Sequence, residues 1–130
     1  MKRALIAIIL VFGMWCMLDF IIHVRILGPT YQATAQLWRP MKEMKMGLIY
    51  FTVFVSSLVF VTIYARFFTE KGICTAVKYG LLFGLGFGIP MGYGTYAIMP
   101  IPYKMALTWF LGTVAETTLG GLLLGLIIKK

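Results

Sequence analysis

Charged residues are scarce in this sequence, where they make up 12% of 130 residues while hydrophobic residues make up 61%. Soluble domains carry roughly 25% charged residues, so this chain has too little polar surface to cover its exterior in water. Disorder is excluded as well, because disordered segments are poor in the apolar residues that are abundant here. The composition therefore indicates an integral membrane protein.

Cysteine and histidine are also rare. Cys16 and Cys74 form no Cys-x-x-Cys pair, and the topology described below puts them toward different sides of the membrane, so we expect no disulfide within the chain. The single histidine, His23, excludes the usual His-rich catalytic zinc site. No motif in the sequence matches an enzyme signature.

The basic residues are scattered rather than clustered. Twelve Lys and Arg against four Asp and Glu give a net charge of +8, and they stand singly or in pairs at the edges of apolar runs. Basic side chains flank membrane helices in this way because they can reach toward lipid headgroups. A nucleic-acid-binding surface would gather them on one face. We therefore expect the lipid bilayer as partner and no nucleic acid.

Four apolar runs cover residues 4–27, 47–68, 79–99 and 105–128. Each is near or above the roughly 20 residues that a helix needs to cross a bilayer, and helix is the state that satisfies every backbone group in lipid. The first run resembles a signal peptide but lacks an Ala-x-Ala-like site, so we expect it to be retained. The sequence predicts an all-α integral membrane protein, with residues 1–130 forming one bundle of four transmembrane helices.

The connections differ in length. The loop of residues 28–46 is the longest, and Gly28-Pro29 ends the first span and allows a new helix to start. Tyr31, Trp38 and the lysines that follow suit the headgroup layer, which predicts an interfacial helix on the membrane surface. The other connections, residues 69–78 and 100–104, are short.

The positive-inside rule favours cytoplasmic termini by a narrow margin. With both termini inside, seven basic residues are cytoplasmic, namely Lys2, Arg3, Arg66, Lys71, Lys78, Lys129 and Lys130. Five are external, namely Arg25, Arg39, Lys42, Lys45 and Lys104. We expect a multi-pass protein of the inner (plasma) membrane, although a bias this small leaves insertion in both directions open.

Glycines recur at every fourth position of the third span, namely Gly80, Gly84, Gly88 and Gly92. Small residues spaced in this way let membrane helices approach closely, and the fourth span repeats the device with Gly112, Gly120, Gly121 and Gly125. These rows predict helix packing inside one bundle, with a homo-oligomer or a larger membrane complex as the alternative. Pro90, in the middle of the third span, is expected to kink its helix.

Two of the four acids lie inside spans. Glu43 and Glu70 fall in loops, whereas Asp19 and Glu116 lie at about 12 Å and about 15 Å from the outer ends of their helices at ~1.5 Å per residue. An acid at the bilayer centre costs on the order of 2.5–3.5 kcal/mol, so both should face the bundle interior. His23 lies one turn above Asp19 on the same face.

Aromatic and hydroxyl side chains come to a similar depth, namely Trp15, Ser56, Tyr93, Tyr96 and Trp109. This convergence predicts a polar intramembrane site that binds or transports a small ligand, a cation or a proton. A structural hydrogen-bond network would use the same residues. A metal site made of Asp19, His23 and Glu116 is a lesser alternative, and no other cofactor is expected.

Two further functions fit the sequence. The glycine rows suit a non-catalytic accessory subunit that docks to a larger membrane complex. Asp19, His23 and Tyr96 suit acid–base groups of a membrane enzyme acting on a lipid-soluble substrate such as a quinone or an acyl chain.

The architecture resembles that of the small multidrug resistance transporters, which have about this length, four helices, one acid in the first span and a Gly-rich third span. The membrane-embedded acid of that family is a Glu followed by family-specific motifs, and those motifs are absent around Asp19. The long loop of residues 28–46 has no counterpart in that family. The resemblance is one of architecture and implies no membership.

Overall fold

The structure, a computed structural model, describes residues 2–129. Within that part of the chain every regular element is helical. In chain order the helices are α1 (Lys2–Ile26), the short α2 (Gly28–Ala33), α3 (Met46–Phe67), α4 (Ile73–Ile98) and α5 (Tyr103–Ile127). All but α2 are long and apolar enough to cross a membrane. The predicted all-α architecture with four such helices is confirmed.

The helix bounds depart most from the apolar runs in the third span. The apolar run starts at residue 79, but α4 starts at Ile73, so Lys78 belongs to the helix rather than to the connection. A lysine in the first turns of such a helix keeps its ammonium near the helix end through its long stem. The apolar run therefore underestimates the length of the helix.

Two of the long helices contain a wide, π-helical segment in their second half. In α1 it covers Phe20–Ile26, and in α4 it covers Pro90–Gly94. In the first segment the Leu27 amide donates to the Ile22 carbonyl, five residues back, at 2.9 Å. In the second, Pro90 lacks the N–H that would continue the α-helical ladder, so the helix widens at the position where the sequence predicts a kink.

The four long helices form an arc in the order α3, α1, α5, α4, since α1 packs on both α3 and α5, and α5 packs on both α1 and α4. We call the end that holds the N-terminus the inner end, and the opposite end the outer end. The two helices at the ends of the arc meet near the inner end through an aromatic cluster of stacked and edge-to-face rings, namely Phe60, Tyr64, Phe68, Tyr79 and Phe83. The Tyr79 hydroxyl donates to the Phe60 carbonyl at 2.8 Å across this aromatic cluster.

The α4–α5 contact runs along a row of buried glycines on α4, namely Gly80, Gly84, Gly88 and Gly92. In order along α5 they lie against Thr117, Val114, Phe110 and Ala106. Gly112 and Gly120 do not join this contact, because they face Ile22 and Trp15 of α1 instead. On α5 the glycines that face α4 are Gly121 and Gly125, which lie against Ala76 and Ile73.

The long first loop is not a single interfacial helix. Six residues form α2, and two 3₁₀ turns follow at Ala35–Leu37 and Met41–Glu43. Tyr31 and Trp38, which the sequence suggests for the headgroup layer, pack over the outer end of the bundle. They cover an apolar cluster around Leu27 and Met105, which would otherwise be open at that end.

Candidate functional site

A cavity of about 460 Å³ lies between the inner hydrophobic core and the loop that covers the outer end. All four long helices line it. Its polar lining consists of Asp19, His23, Thr52, Ser56, Thr113, Glu116 and Thr117. The polar groups that the sequence assigns to different helices therefore meet in one place.

Asp19 and His23 lie one turn apart at the start of the wide segment of α1. The His23 Nε2 atom is 3.6 Å from Asp19 Oδ1, and about a third of each side chain is exposed. The distance is too long for a hydrogen bond, but it is short enough for an ion pair if the imidazole is protonated. The spacing of four residues predicted from the sequence thus brings the two groups together.

Glu116 approaches the pair from α5. Its carboxyl group lies within interaction range of the Asp19 carboxyl, and its Oε1 atom is buried without a hydrogen-bond partner among the described residues. The nearby Thr113 hydroxyl is used elsewhere, since it donates to the Trp109 carbonyl at 2.9 Å. A buried polar atom without a partner is rare in proteins, so this oxygen is free to accept a hydrogen bond from a ligand or a water molecule.

Trp15 lines the inner end of the cavity. Its indole N–H donates to the backbone carbonyl of Glu116 at 2.8 Å, which ties α1 to α5 at the level of the two acids. Its ring also packs against Phe60, with 5.2 Å between centroids. Trp15 is thus part of both the inner core and the site.

Near the outer end of the cavity lies a residue that the sequence analysis did not include in the site, namely Tyr31. The Tyr31 hydroxyl lies 2.7 Å from His23 Nδ1 and accepts a hydrogen bond from Trp109 Nε1 at 3.0 Å. Trp38 packs edge-on against both Tyr31 and Trp109. The available signal is Gly28-Pro29, which ends the first span and starts α2, and the Tyr31 side chain of α2 reaches back to His23.

Three of the five predicted wall residues line the cavity, namely Trp15, Ser56 and Trp109. Tyr93 and Tyr96 do not line it. The Tyr93 hydroxyl instead shares a hydrogen bond with Tyr103 at 3.0 Å, and Tyr96 is 44% exposed beside Tyr103. The wide segment at Pro90 shifts the helical register by about one residue, so these tyrosines leave the face that regular helical spacing gives them.

The cavity opens sideways between α3 and α4. Those helices meet at the inner end through the aromatic cluster, whereas the lining residues farther out are exposed, with Val55 at 37%, Phe87 at 60% and Met91 at 51%. In a bilayer this opening would face the lipid chains. A ligand could therefore reach the two carboxyl groups without passing through the covered outer end.

The described lining contains two carboxyl groups and no lysine or arginine. Among residues 2–129, no three His, Cys, Asp or Glu side chains are grouped so that they could hold a metal ion, which speaks against the metal alternative at Asp19, His23 and Glu116. The chemistry of the site is therefore that of an acidic pocket with aromatic walls. Comparisons with protein-family models, with curated proteins and with solved structures found no match to this chain.

Proposed function

We propose that this chain is a multi-pass protein of the inner membrane, with both termini cytoplasmic, that binds a small organic cation at Asp19 and Glu116 and moves it across the bilayer. The observation that carries the proposal is the pair of neighbouring carboxyl groups in a cavity whose described lining has no lysine or arginine. A buried charge needs a partner of opposite sign. A cationic ligand supplies it.

The size and the walls of the cavity favour an organic ion over a bare inorganic one. About 460 Å³ falls in the range of small-molecule sites. A hard cation such as Ca²⁺ takes six to eight oxygen ligands at close range, whereas much of this lining is apolar. Trp15 and Trp109 offer aromatic faces, each able to stabilise an organic cation by about 0.5–2 kcal/mol.

The lateral opening supports a ligand that dissolves in the membrane. A lipophilic cation collects in the bilayer, and the gap between α3 and α4 would admit it at the level of the carboxyl groups. The glycine row between α4 and α5 supports this arrangement by holding those two helices tightly together within one chain. The proposal therefore needs no second copy to complete the site.

The test compares two ions of nearly the same shape and opposite charge, tetraphenylphosphonium and tetraphenylborate. Binding to the purified protein in nanodiscs is followed by equilibrium dialysis. We expect the cation to bind and the anion to bind at least about tenfold more weakly, since each factor of ten is 1.4 kcal/mol. Equal binding of both ions would contradict the proposal, because it would mean that the cavity selects only apolar surface.

Single variants identify the groups responsible. Asp19→Asn and Glu116→Gln should each weaken binding of the phosphonium ion by about tenfold or more. Glu70→Gln is the matched control, because that acid lies exposed in the α3–α4 connection. Circular dichroism monitors the fold of each variant. If folded Asp19→Asn and Glu116→Gln proteins bind like the wild type, the carboxyl pair is not the site.

A further inference from the structure

A line of polar atoms leads from the carboxyl pair toward the outer end of the protein. The Tyr31 hydroxyl is 2.7 Å from His23 Nδ1, and His23 Nε2 on the other side of the ring is 3.6 Å from Asp19 Oδ1. Tyr31 is partly exposed in the loop that covers the outer end. The imidazole therefore stands between an intramembrane acid and the hydroxyl of a partly exposed tyrosine.

Trp109 fixes one donor direction in this line, and the tautomer of His23 sets the other. An indole N–H can only donate a hydrogen bond, so Trp109 Nε1 is the donor and the Tyr31 oxygen the acceptor at 3.0 Å. The single hydroxyl proton of Tyr31 is then free to point at His23 Nδ1. Burial raises the pKa of Tyr31 above its ordinary value, so the hydroxyl keeps this proton. In the state in which the hydroxyl donates to Nδ1, a neutral His23 carries its own proton on Nε2, on the side of Asp19.

We infer that Tyr31 and His23 form a proton relay through which Asp19 exchanges a proton with the outer side when the bound cation leaves or arrives. The inference rests on the proposed function in that a cation at Asp19 is what the proton replaces. As the cation leaves, a proton from water binds the Tyr31 oxygen and the hydroxyl proton moves to His23 Nδ1. The Nε2 proton moves to the Asp19 carboxylate.

The transfer balances and leaves both relay residues neutral. Tyr31 ends with the incoming proton, His23 changes from the Nε2–H to the Nδ1–H tautomer, and Asp19 becomes a neutral acid. Binding of a cation reverses each step and releases one proton at the outer end. The last transfer requires the Asp19 carboxyl to close the 3.6 Å gap to a hydrogen-bond distance of about 2.9 Å, which a small side-chain rotation can do.

The groups that can exchange protons with this line are few. Besides Asp19, α1 brings the Cys16 thiol close to it, α2 brings Tyr31, and α5 brings Glu116. From α3 and α4 the cavity receives hydroxyl, apolar and aromatic side chains that do not titrate. Glu116 is thus the one further carboxyl group in the described lining that shares the proton with Asp19.

The first test uses the fact that His23 is the only histidine in the sequence. Isotope-labelled histidine therefore gives nitrogen signals from one ring, and their chemical shifts report its tautomer. In the wild type we expect the Nε2–H tautomer at alkaline pH and the Nδ1–H tautomer as the pH falls and Asp19 gains its proton. In Asp19→Asn this change of tautomer should be lost. A wild-type ring that passes directly from the Nε2–H form to imidazolium would overturn the relay.

The second test measures rate. Tyr31→Phe keeps the ring that packs on His23 and Trp38 but removes the hydroxyl. After a rapid pH jump, release of a fluorescent organic cation from this variant should be slower than from the wild type by about tenfold or more. Tyr96→Phe is the control, because it removes a hydroxyl from an exposed ring that does not line the cavity, and its rate should stay within about twofold of the wild type.

The outcomes separate the relay from the proposed function. If Tyr31→Phe releases the cation as fast as the wild type while Asp19→Asn abolishes binding, the relay is wrong and cation binding stands. If neither carboxyl variant affects binding, the proposed function is wrong, and the tautomer change in the labelled wild type still decides whether the relay exists. If Tyr31→Phe does not fold, the labelled wild type and Asp19→Asn spectra still decide.

Discussion

Replacing Gly84 by alanine tests whether the α4–α5 contact depends on the absence of a side chain. A Cβ atom added at Gly84 would lie 2.8 Å from the Cα atom of Val114, and it would also meet the Thr117 hydroxyl. The Val114 atom belongs to the backbone of α5 and cannot rotate away. To raise that distance from 2.8 Å to 3.4 Å, the lower limit of ordinary contact, the two helices must separate by about 0.6 Å.

The cost follows from this separation. Overpacking of a close interface costs typically about 1–3 kcal/mol, because contacts along the whole interface are stretched when two rigid helices move apart. Alanine also favours the helix over glycine by up to about 1 kcal/mol, which offsets part of the loss. We therefore expect Gly84→Ala to lower the free energy of unfolding by about 1–2 kcal/mol.

Gly86 provides the matched control. It lies two residues away on the same helix, and an added Cβ would meet nothing within 4 Å. Gly86→Ala receives the same helix preference without the clash, so it should be neutral or slightly stabilising. The difference between the two variants isolates the packing term, which we expect to be about 1–3 kcal/mol.

The assay is reversible unfolding by SDS in mixed micelles, followed by far-UV circular dichroism and tryptophan fluorescence. Both variants and the wild type are titrated under one condition, so the difference does not depend on extrapolation. If Gly84→Ala unfolds at the same SDS concentration as Gly86→Ala, the reasoning is refuted. It would mean that α4 and α5 are not in close backbone contact at this position.

Two further changes test contacts that hold α3 and α4 together near the inner end. Tyr79→Phe removes the buried hydroxyl that donates to the Phe60 carbonyl and should cost about 1 kcal/mol in the same titration, whereas Tyr96→Phe, at an exposed ring, should cost nothing measurable. Lys71→Met keeps the side-chain length but removes the ammonium that donates to three backbone carbonyls at the end of α3, and it should cost about 1 kcal/mol. Lys78→Met, at an exposed lysine on α4, should not. Equal stability within either pair would show that the contact contributes little.

Helix number and class follow from the sequence because they depend on local composition. Each run of about 20 apolar residues satisfies its own backbone groups only as a helix in lipid. The spacing of four between Asp19 and His23 likewise predicts a shared face, and the structure has the two side chains 3.6 Å apart. Helix ends are harder to predict, as Lys78 shows, because a long basic side chain lets a helix begin before its apolar run.

Tyr93 and Tyr96 show that sequence spacing alone does not determine which helix face a residue lies on. Their faces follow from regular helical spacing only if the helix stays regular, and the wide segment at Pro90 changes the register by about one residue. Gly112 and Gly120 do pack closely against side chains of other helices, but the sequence could not say which ones. Their spacing suggests a packing row, but which neighbour a row faces depends on the order of helices in the bundle.

By itself the sequence determined four long apolar helices, two acids at similar depth and a histidine one turn from Asp19, because each of these depends on residues close together along the chain. Only the tertiary structure decided that α3 and α4 leave a lateral opening, that Glu116 reaches Asp19, and that Tyr31 returns to His23. Those relations join residues far apart in the chain or across a turn. They depend on which helix faces pack together and on where the outer loop covers the bundle.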